Sequence, residues 1–188
     1  QPKRALSLIG EVQLQQLSQV IKHRLPKLEL HDQAYQQLYW LSQECLRWSA
    51  VHNLTSFKTL EEFIDGHIID SLSIINEIKH IPQGKSWLDF GTGAGFPGLV
   101  LAICRRDLLF HLLDSHKKKM AFVMHANSQL KLENVNTICC NVTNYHHQYH
   151  FDFIIARAVS SIDNILSLTN HLLNDQGYFW LLKVPNWQ

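Results

Sequence analysis

Apolar residues recur every three to four positions through the first eighty residues, first at Leu14, Leu17, Ile21 and Leu25, then at Leu38, Leu41, Cys45 and Trp48. That period puts each set on one face of an α-helix. Pro26 divides the two helices, because a proline inside a helix removes a backbone donor and clashes with the preceding turn. Thr59 and Glu62 have the spacing of a capping box, which predicts a short helix starting there, and the helical period continues from Ile68 to Ile78. Ile81-Pro82-Gln83-Gly84 reads as a turn, and the pattern changes after it.

From Lys85 onward, short apolar runs alternate with helical segments. The runs are SWLDF, LLFHLLD, NTICC, FDFIIAR and GYFWLL. The helices are expected from Pro97 onward, over Lys117 to Leu132 and over Ile162 to Leu173. Alternation at this spacing predicts an α/β fold with a parallel sheet. LLFHLL and FDFII are nearly all apolar, as strands covered by helices on both faces must be. The expected organisation is a helical extension over residues 1–82 and a Rossmann-like domain over 83–188.

Seventeen Lys+Arg balance sixteen Asp+Glu, so a nucleic-acid partner would have to be met by a local basic patch. The twelve histidines are scattered without metal-ligand spacing, and no metal is expected. Cys45, Cys104, Cys139 and Cys140 form no C-x-x-C and read as reduced thiols. No run approaches the length of a membrane span, and the expectation is a cytoplasmic, soluble protein.

The candidate chemistry lies in WLDFGTGAGFPG, from Trp87 to Gly98. Gly93, Gly95 and Gly98 fit the G-x-G-x-x-G of a dinucleotide turn, while Asp89, Gly91, Gly93 and Gly95 fit D-x-G-x-G-x-G. Either way, glycines after a first strand let backbone approach a ligand. Asp89 weighs on the choice. A carboxylate at the strand end repels a pyrophosphate but suits S-adenosylmethionine, which carries an ammonium and a sulfonium. Asp114 ends the second strand and is placed to accept hydrogen bonds from a ribose, which either cofactor offers. On these residues alone a methyltransferase is favoured over a nicotinamide dehydrogenase, and both stay open.

Beyond the glycine run, the chain resembles the RsmG (GidB) methyltransferases, which modify a guanine N7 in small-subunit ribosomal RNA. The resemblance rests on Trp48 with NLTS, on HIIDSL (His67 to Leu72), DFGTGAGFPG, LLDSHKKKMAFV (Leu112 to Val123), LKLENV and IARAVSS (Ile155 to Ser161). It implies that Gly91 and Phe96 line the methionine side of S-adenosylmethionine, Asp114 its ribose, and Val142 and Thr143 its adenine. Arg157 falls on the family's arginine near the methyl site and takes a catalytic role there. The family usually has an acidic residue where Thr143 stands, a lysine in place of Ala50 and a glycine in place of Val184. The implied partner is ribosomal RNA or the small ribosomal subunit, met by a monomer without metal or membrane. Rival readings are a methyltransferase of another substrate and a ribosome-assembly protein that binds the cofactor without using it.

Several residues also have plainer readings. Lys117, Lys118 and Lys119 open a helix beside the proposed cofactor edge, where they could meet phosphates or only solvent. Arg105 and Arg106 read as favourable charge at a helix C-terminus. Asn53 lines the target pocket or caps a helix. His67 and Asp70, one turn apart, read first as a structural pair. Trp40 and Trp48 read as core. Lys183 follows the fifth strand and joins the RNA side. Two further strands, a hairpin that the resemblance implies at that sheet edge, have no counterpart in the residues after Leu182 and are expected to be missing.

Overall fold

A computed structural model describes residues 8–146, 150–157 and 161–182. The helical period is realised in α1 (Leu8–Arg24) and α2 (Asp32–His52). They pack antiparallel, with Gln13 bonded to Tyr39 and Lys22 over the Tyr35 ring. Leu17, Ile21, Leu38, Leu41 and Cys45 are all buried. The capping box forms as expected: the Thr59 hydroxyl accepts from the Glu62 N–H, and the Glu62 carboxylate accepts from the Thr59 N–H. It opens α3 (Leu60–Phe63), which runs on through a π-helical segment, Ile64–Ile69, into α4 (Asp70–Leu72).

The helix stops at Leu72, short of the expected Ile78. Hydroxyls of Ser71 and Ser73 bond the carbonyls of His67 and Asp70, and turns with three-residue closure follow at Ile74 and Ile75. Serine bonds of this kind compete with the helical ladder. Ile74, Ile75, Ile78 and Ile81 are nevertheless buried, so the apolar period marks burial without a helix. Arg105, expected only to oppose a helix end, donates to the carbonyls of Ile78 and Ile81 at 2.5 and 2.8 Å and ties this turn down.

The strands are β1 (Ser86–Phe90), β2 (Leu109–Asp114), β3 (Val135–Cys139), β4 (Phe151–Arg157) and β5 (Leu173–Leu182). Their order is β3-β2-β1-β4-β5 and every neighbouring pair is parallel. Alternation along the strands splits the core by face. Trp87, Phe110, Leu112 and Ile155 face a cluster that also holds α1, α2, α5 (Gly98–Cys104) and α6 (Lys117–Leu130). Leu88, Leu113, Ile154 and Ala156 face Ile165 of α7 (Ile162–Thr169).

The end of the sheet differs from expectation. α7 stops at Thr169, and β5 starts at Leu173 where the sequence suggested Gly177. Leu173 pairs with Phe151 and Tyr178 with Phe153, so four residues bulge between them. The polar run Asn174-Asp175-Gln176 hides this start, because an exposed irregularity has no apolar alternation.

Candidate functional site

Strand order reverses at β1, whose successor β2 lies on one side and β4 on the other. The carboxyl ends of such strands leave a crevice, where open α/β sheets bind ligands. The glycine run fills it. Gly91, Gly93 and Gly95 have φ of 69°, 60° and 98°, a region that side chains with a Cβ avoid. The N–H groups of Gly91 and Thr92 bond the carbonyl of Leu113, anchoring the loop to β2. A Cβ at Gly93 would meet no protein atom within 4 Å, whereas one at Gly95 would collide with Leu99.

Two carboxylates hold this loop. Asp89, only 1% exposed, accepts at Oδ2 from the Thr92 hydroxyl (2.7 Å) and the Gly98 N–H (2.8 Å), while its Oδ1 is buried without a protein partner. Burial raises its pKa to about 6 against the pull of those two donors and of Arg157. Asp114 accepts from the Gly93 N–H at Oδ2 (2.8 Å) and from the N–H and ring of His116 at Oδ1 (2.9 and 2.7 Å). Burial pushes its pKa up, but the three donors outweigh it and the net shift is downward.

The opposite wall comes from the helical region. Phe96, carried on the glycine loop, lies flat on the His67 ring, with centroids 4.5 Å apart and planes 14° from parallel. Phe57 and Phe63 meet His67 edge-on, both at 4.9 Å. Arg157, at the end of β4, donates from Nη2 to His67 Nδ1 (2.9 Å) and from Nη1 to Asp70 (3.2 Å) and the Gly66 carbonyl (3.3 Å). A guanidinium only donates, so Nδ1 is bare and the proton of the neutral ring sits on Nε2, 3.0 Å from Thr55 Oγ1. Burial, then Arg157 and Lys119, push the His67 pKa down to about 3.

These walls enclose a cavity of about 220 Å³ lined by Leu54, Thr55, Ser56, His67, the loop from Gly91 to Ala94, Phe96, Lys119 and Arg157. Larger grooves lie elsewhere, one of about 710 Å³ between α1 and the α3 region, but none is lined by the glycine loop or Arg157.

Of the expected residues, the fold thus gathers Gly91, Gly93, Phe96, Arg157 and Lys119 around one cavity, with Asp89, Gly95 and Asp114 behind it. Lys117 and Lys118 are exposed on the same helix turn. Asn53 is exposed and caps α2 in a left-handed conformation. Val142 is buried on the opposite sheet face, and the exposed Thr143 is bonded to Asn141; neither lines the cavity. Lys183 lies outside the described residues. His67 and Asp70, read first as a pair, instead meet at Arg157. Thr55 and Gly66 were missed. Gly66 carried a signal, an isolated glycine inside a helical pattern; a Cβ there would collide with the Phe57 ring. The π-helical segment around it carries no sequence signature, although such segments are frequent at functional sites.

Residues 34–186 match the family model GidB, described as rRNA small subunit methyltransferase G. The chain is 38% identical over 164 residues to the ribosomal RNA small subunit methyltransferase G of Ruthia magnifica subsp. Calyptogena magnifica, which covers 87% of this chain and 79% of that one. For the protein of the same name from Methylobacillus flagellatus the identity is 39% over 137 residues, covering 73% and 65%. Among solved structures, the chain is similar in fold to coclaurine N-methyltransferase bound to N-methylheliamine and SAH, with a TM-score of 0.56 at 15% identity, over 92% of this chain and 58% of that one.

Proposed function

The chain belongs to the rRNA small subunit methyltransferase G family, and from that premise we propose that it transfers a methyl group from S-adenosylmethionine to the N7 of a guanine in small-subunit (16S) ribosomal RNA. The observation that carries the reading is the joining, at the sheet's switch point, of a glycine loop flanked by two carboxylates with the Arg157 guanidinium at the end of β4.

The residues present fit the cofactor. A Cβ at Gly93 would stand in space that no protein atom occupies, and Asp89 keeps one buried carboxylate oxygen without a protein partner. Two acidic groups under the loop suit a cationic ligand and oppose a pyrophosphate, which disfavours a nicotinamide dinucleotide. Asp89, Gly91, Gly93, Gly95 and Phe96 hold the methionine side in this reading. Asp114 takes the ribose in this reading, and Val142 and Thr143, which lie outside the cavity in the segment after β3, are assigned the adenine by the family resemblance alone. When bound, S-adenosylmethionine supplies an electrophilic methyl on a positively charged sulfur.

The protein's task is then alignment. Guanine N7 has a lone pair and no proton to remove, so no general base is called for. His67 is consistent with this, because both its nitrogens are engaged and its pKa lies far below neutrality. Arg157 faces the cavity as a fixed cation. Lys119 at the rim, with Lys117, Lys118, Asn53 and Lys183, meets the RNA in this reading. N7 is hidden in the deep groove of an RNA helix, so the target base is taken from an exposed or splayed segment. The proposed setting is the cytoplasm, with the protein acting as a monomer and without metal. No helix among the described residues is long and apolar enough to cross a membrane.

The test is methyl transfer from S-adenosylmethionine to small subunits from cells lacking this methylation, with the modified guanine located by mass mapping. Gain of one methyl at a guanine N7 is expected. Methylation elsewhere, or cofactor binding without transfer, would overturn the proposal in favour of another substrate or an assembly role.

A further inference from the structure

His67 joins the cofactor-side loop to both other walls of the cavity. Its face lies on Phe96, its Nδ1 accepts from Arg157, and its Nε2–H meets Thr55. All four residues line the same cavity. A ring packed among Phe57, Phe63 and Phe96 would cost less as a phenylalanine, since burying a polar ring is unfavourable unless its nitrogens are bonded. Both are bonded here, and both to residues that face the cavity. The bare Nδ1 is the useful end. It accepts from one arm of the guanidinium while Gly66 and Asp70 accept from the other, and a planar fork held at both arms has a single orientation. The π-helical segment supplies Gly66 and His67 within one turn.

We propose that His67 is a positioning residue for methyl transfer, which acts through Arg157 by holding the guanidinium and the Thr55 hydroxyl on opposite sides of the place where the acceptor base enters. This rests on the reading of the cavity as the methyl-transfer site. His67 touches neither the methyl group nor the base in this role, and takes no proton.

The experiment measures single-turnover methyl transfer to unmethylated small subunits and, in parallel, S-adenosylhomocysteine binding by calorimetry. The proteins are the wild type, His67→Phe, His67→Asn, His67→Ala, Arg157→Ala and the double variant His67→Phe/Arg157→Ala. His67→Phe keeps the aromatic packing and loses both polar links. It is expected to bind S-adenosylhomocysteine as the wild type does and to transfer methyl up to about a hundredfold more slowly, the scale of a small misplacement of reacting groups. Asparagine places an oxygen near the position of Nδ1, so His67→Asn should recover much of the rate. On the Arg157→Ala background, His67→Phe should cost nothing more, because a residue acting through another has no effect once that one is gone.

A wild-type rate in His67→Phe, or a loss that adds fully to that of Arg157→Ala, would overturn the inference. If His67→Phe does not fold, His67→Asn and His67→Ala decide the matter, and equal rates in these two would overturn it. The two readings fail differently. A wild-type protein that binds no S-adenosylhomocysteine overturns the methyltransferase site and this inference with it, whereas normal binding and transfer with additive variants overturns this inference alone.

Discussion

Three groups, Asp89 buried and His67 and Glu44 partly so, hold their protons differently from the same groups in water, and the direction of each shift fixes how it ties stability to pH. His67 is held down to about 3 from 6.5. Between those values the unfolded chain binds a proton that the native ring refuses, so this contribution is present above pH 6.5 and is lost as pH falls. Glu44 has the same sign lower on the scale. Its bond to Arg47 leads the effects that bring it from 4.5 to about 2. Asp89 is opposite: burial raises it from 3.8 to about 6, so its contribution is complete below pH 3.8 and is lost as pH rises to 6. The expected outcome for His67→Gln is a stability gap from the wild type that is largest at pH 7 and shrinks toward pH 4, read by urea denaturation at each pH. A gap independent of pH would mean that His67 titrates normally. Gly98 tests the other side of the site. An added Cβ would stand 2.6 Å from Asp89 Oδ2 and 2.8 Å from Leu112 Cγ. Gly98→Ala should cost about 1–3 kcal/mol, as overpacking does, and weaken S-adenosylhomocysteine binding by displacing Asp89. Thermal melts with and without ligand check both.

At the scale of elements, α6 sets its own helical preference against its surface. Its first turn carries Lys117, Lys118 and Lys119 and no acidic residue, although the positive end of a helix favours anions. A charge placed against the dipole is better explained by a partner than by folding. Lys117→Glu with Lys118→Glu should therefore stabilise the protein by roughly 0.3–1 kcal/mol per site at low salt, while weakening binding to ribosomal RNA and flattening its salt dependence. Melts and salt titrations are expected to move in opposite directions; parallel losses would return these lysines to a structural role. The elements themselves were unevenly legible. SWLDF and FDFIIAR fall on β1 and β4 residue for residue, since strands covered on both faces read as short, mostly apolar runs. The run from Ile68 to Ile78 was misleading because turns that bury isoleucines have the same spacing as a helix that does.

For the whole molecule, the main consequence of the fold is a shared core. Leu17, Leu38 and Cys45 of the first two helices belong to the same apolar cluster as Trp87 of β1, Val100 of α5 and Phe122 of α6. We expect one cooperative unfolding transition, with circular dichroism and tryptophan fluorescence melting together, and no folded product from residues 83–188 alone. Two separated transitions would contradict this. S-adenosylhomocysteine should raise the melting temperature with its concentration, by about 2.7 kcal/mol of stability at a hundred times its dissociation constant, and NAD should not.

The sequence by itself determined the class of fold, the glycine loop with Asp89 and Asp114, and the position of Arg157 at a strand end. These are local facts: a period, a turn and a strand terminus are written in neighbouring residues. Only the tertiary structure decided what Arg157 faces. Its partners Gly66, His67 and Asp70 lie some ninety residues earlier, and no spacing in the chain records a meeting across that distance. Thr55 is nearer in the chain, twelve residues before His67, but only the fold shows that both line one cavity. Packing of the π-helical segment against the end of β4 joined Arg157, legible as functional at its strand end, to His67 and Asp70, which the sequence offers only as a structural pair.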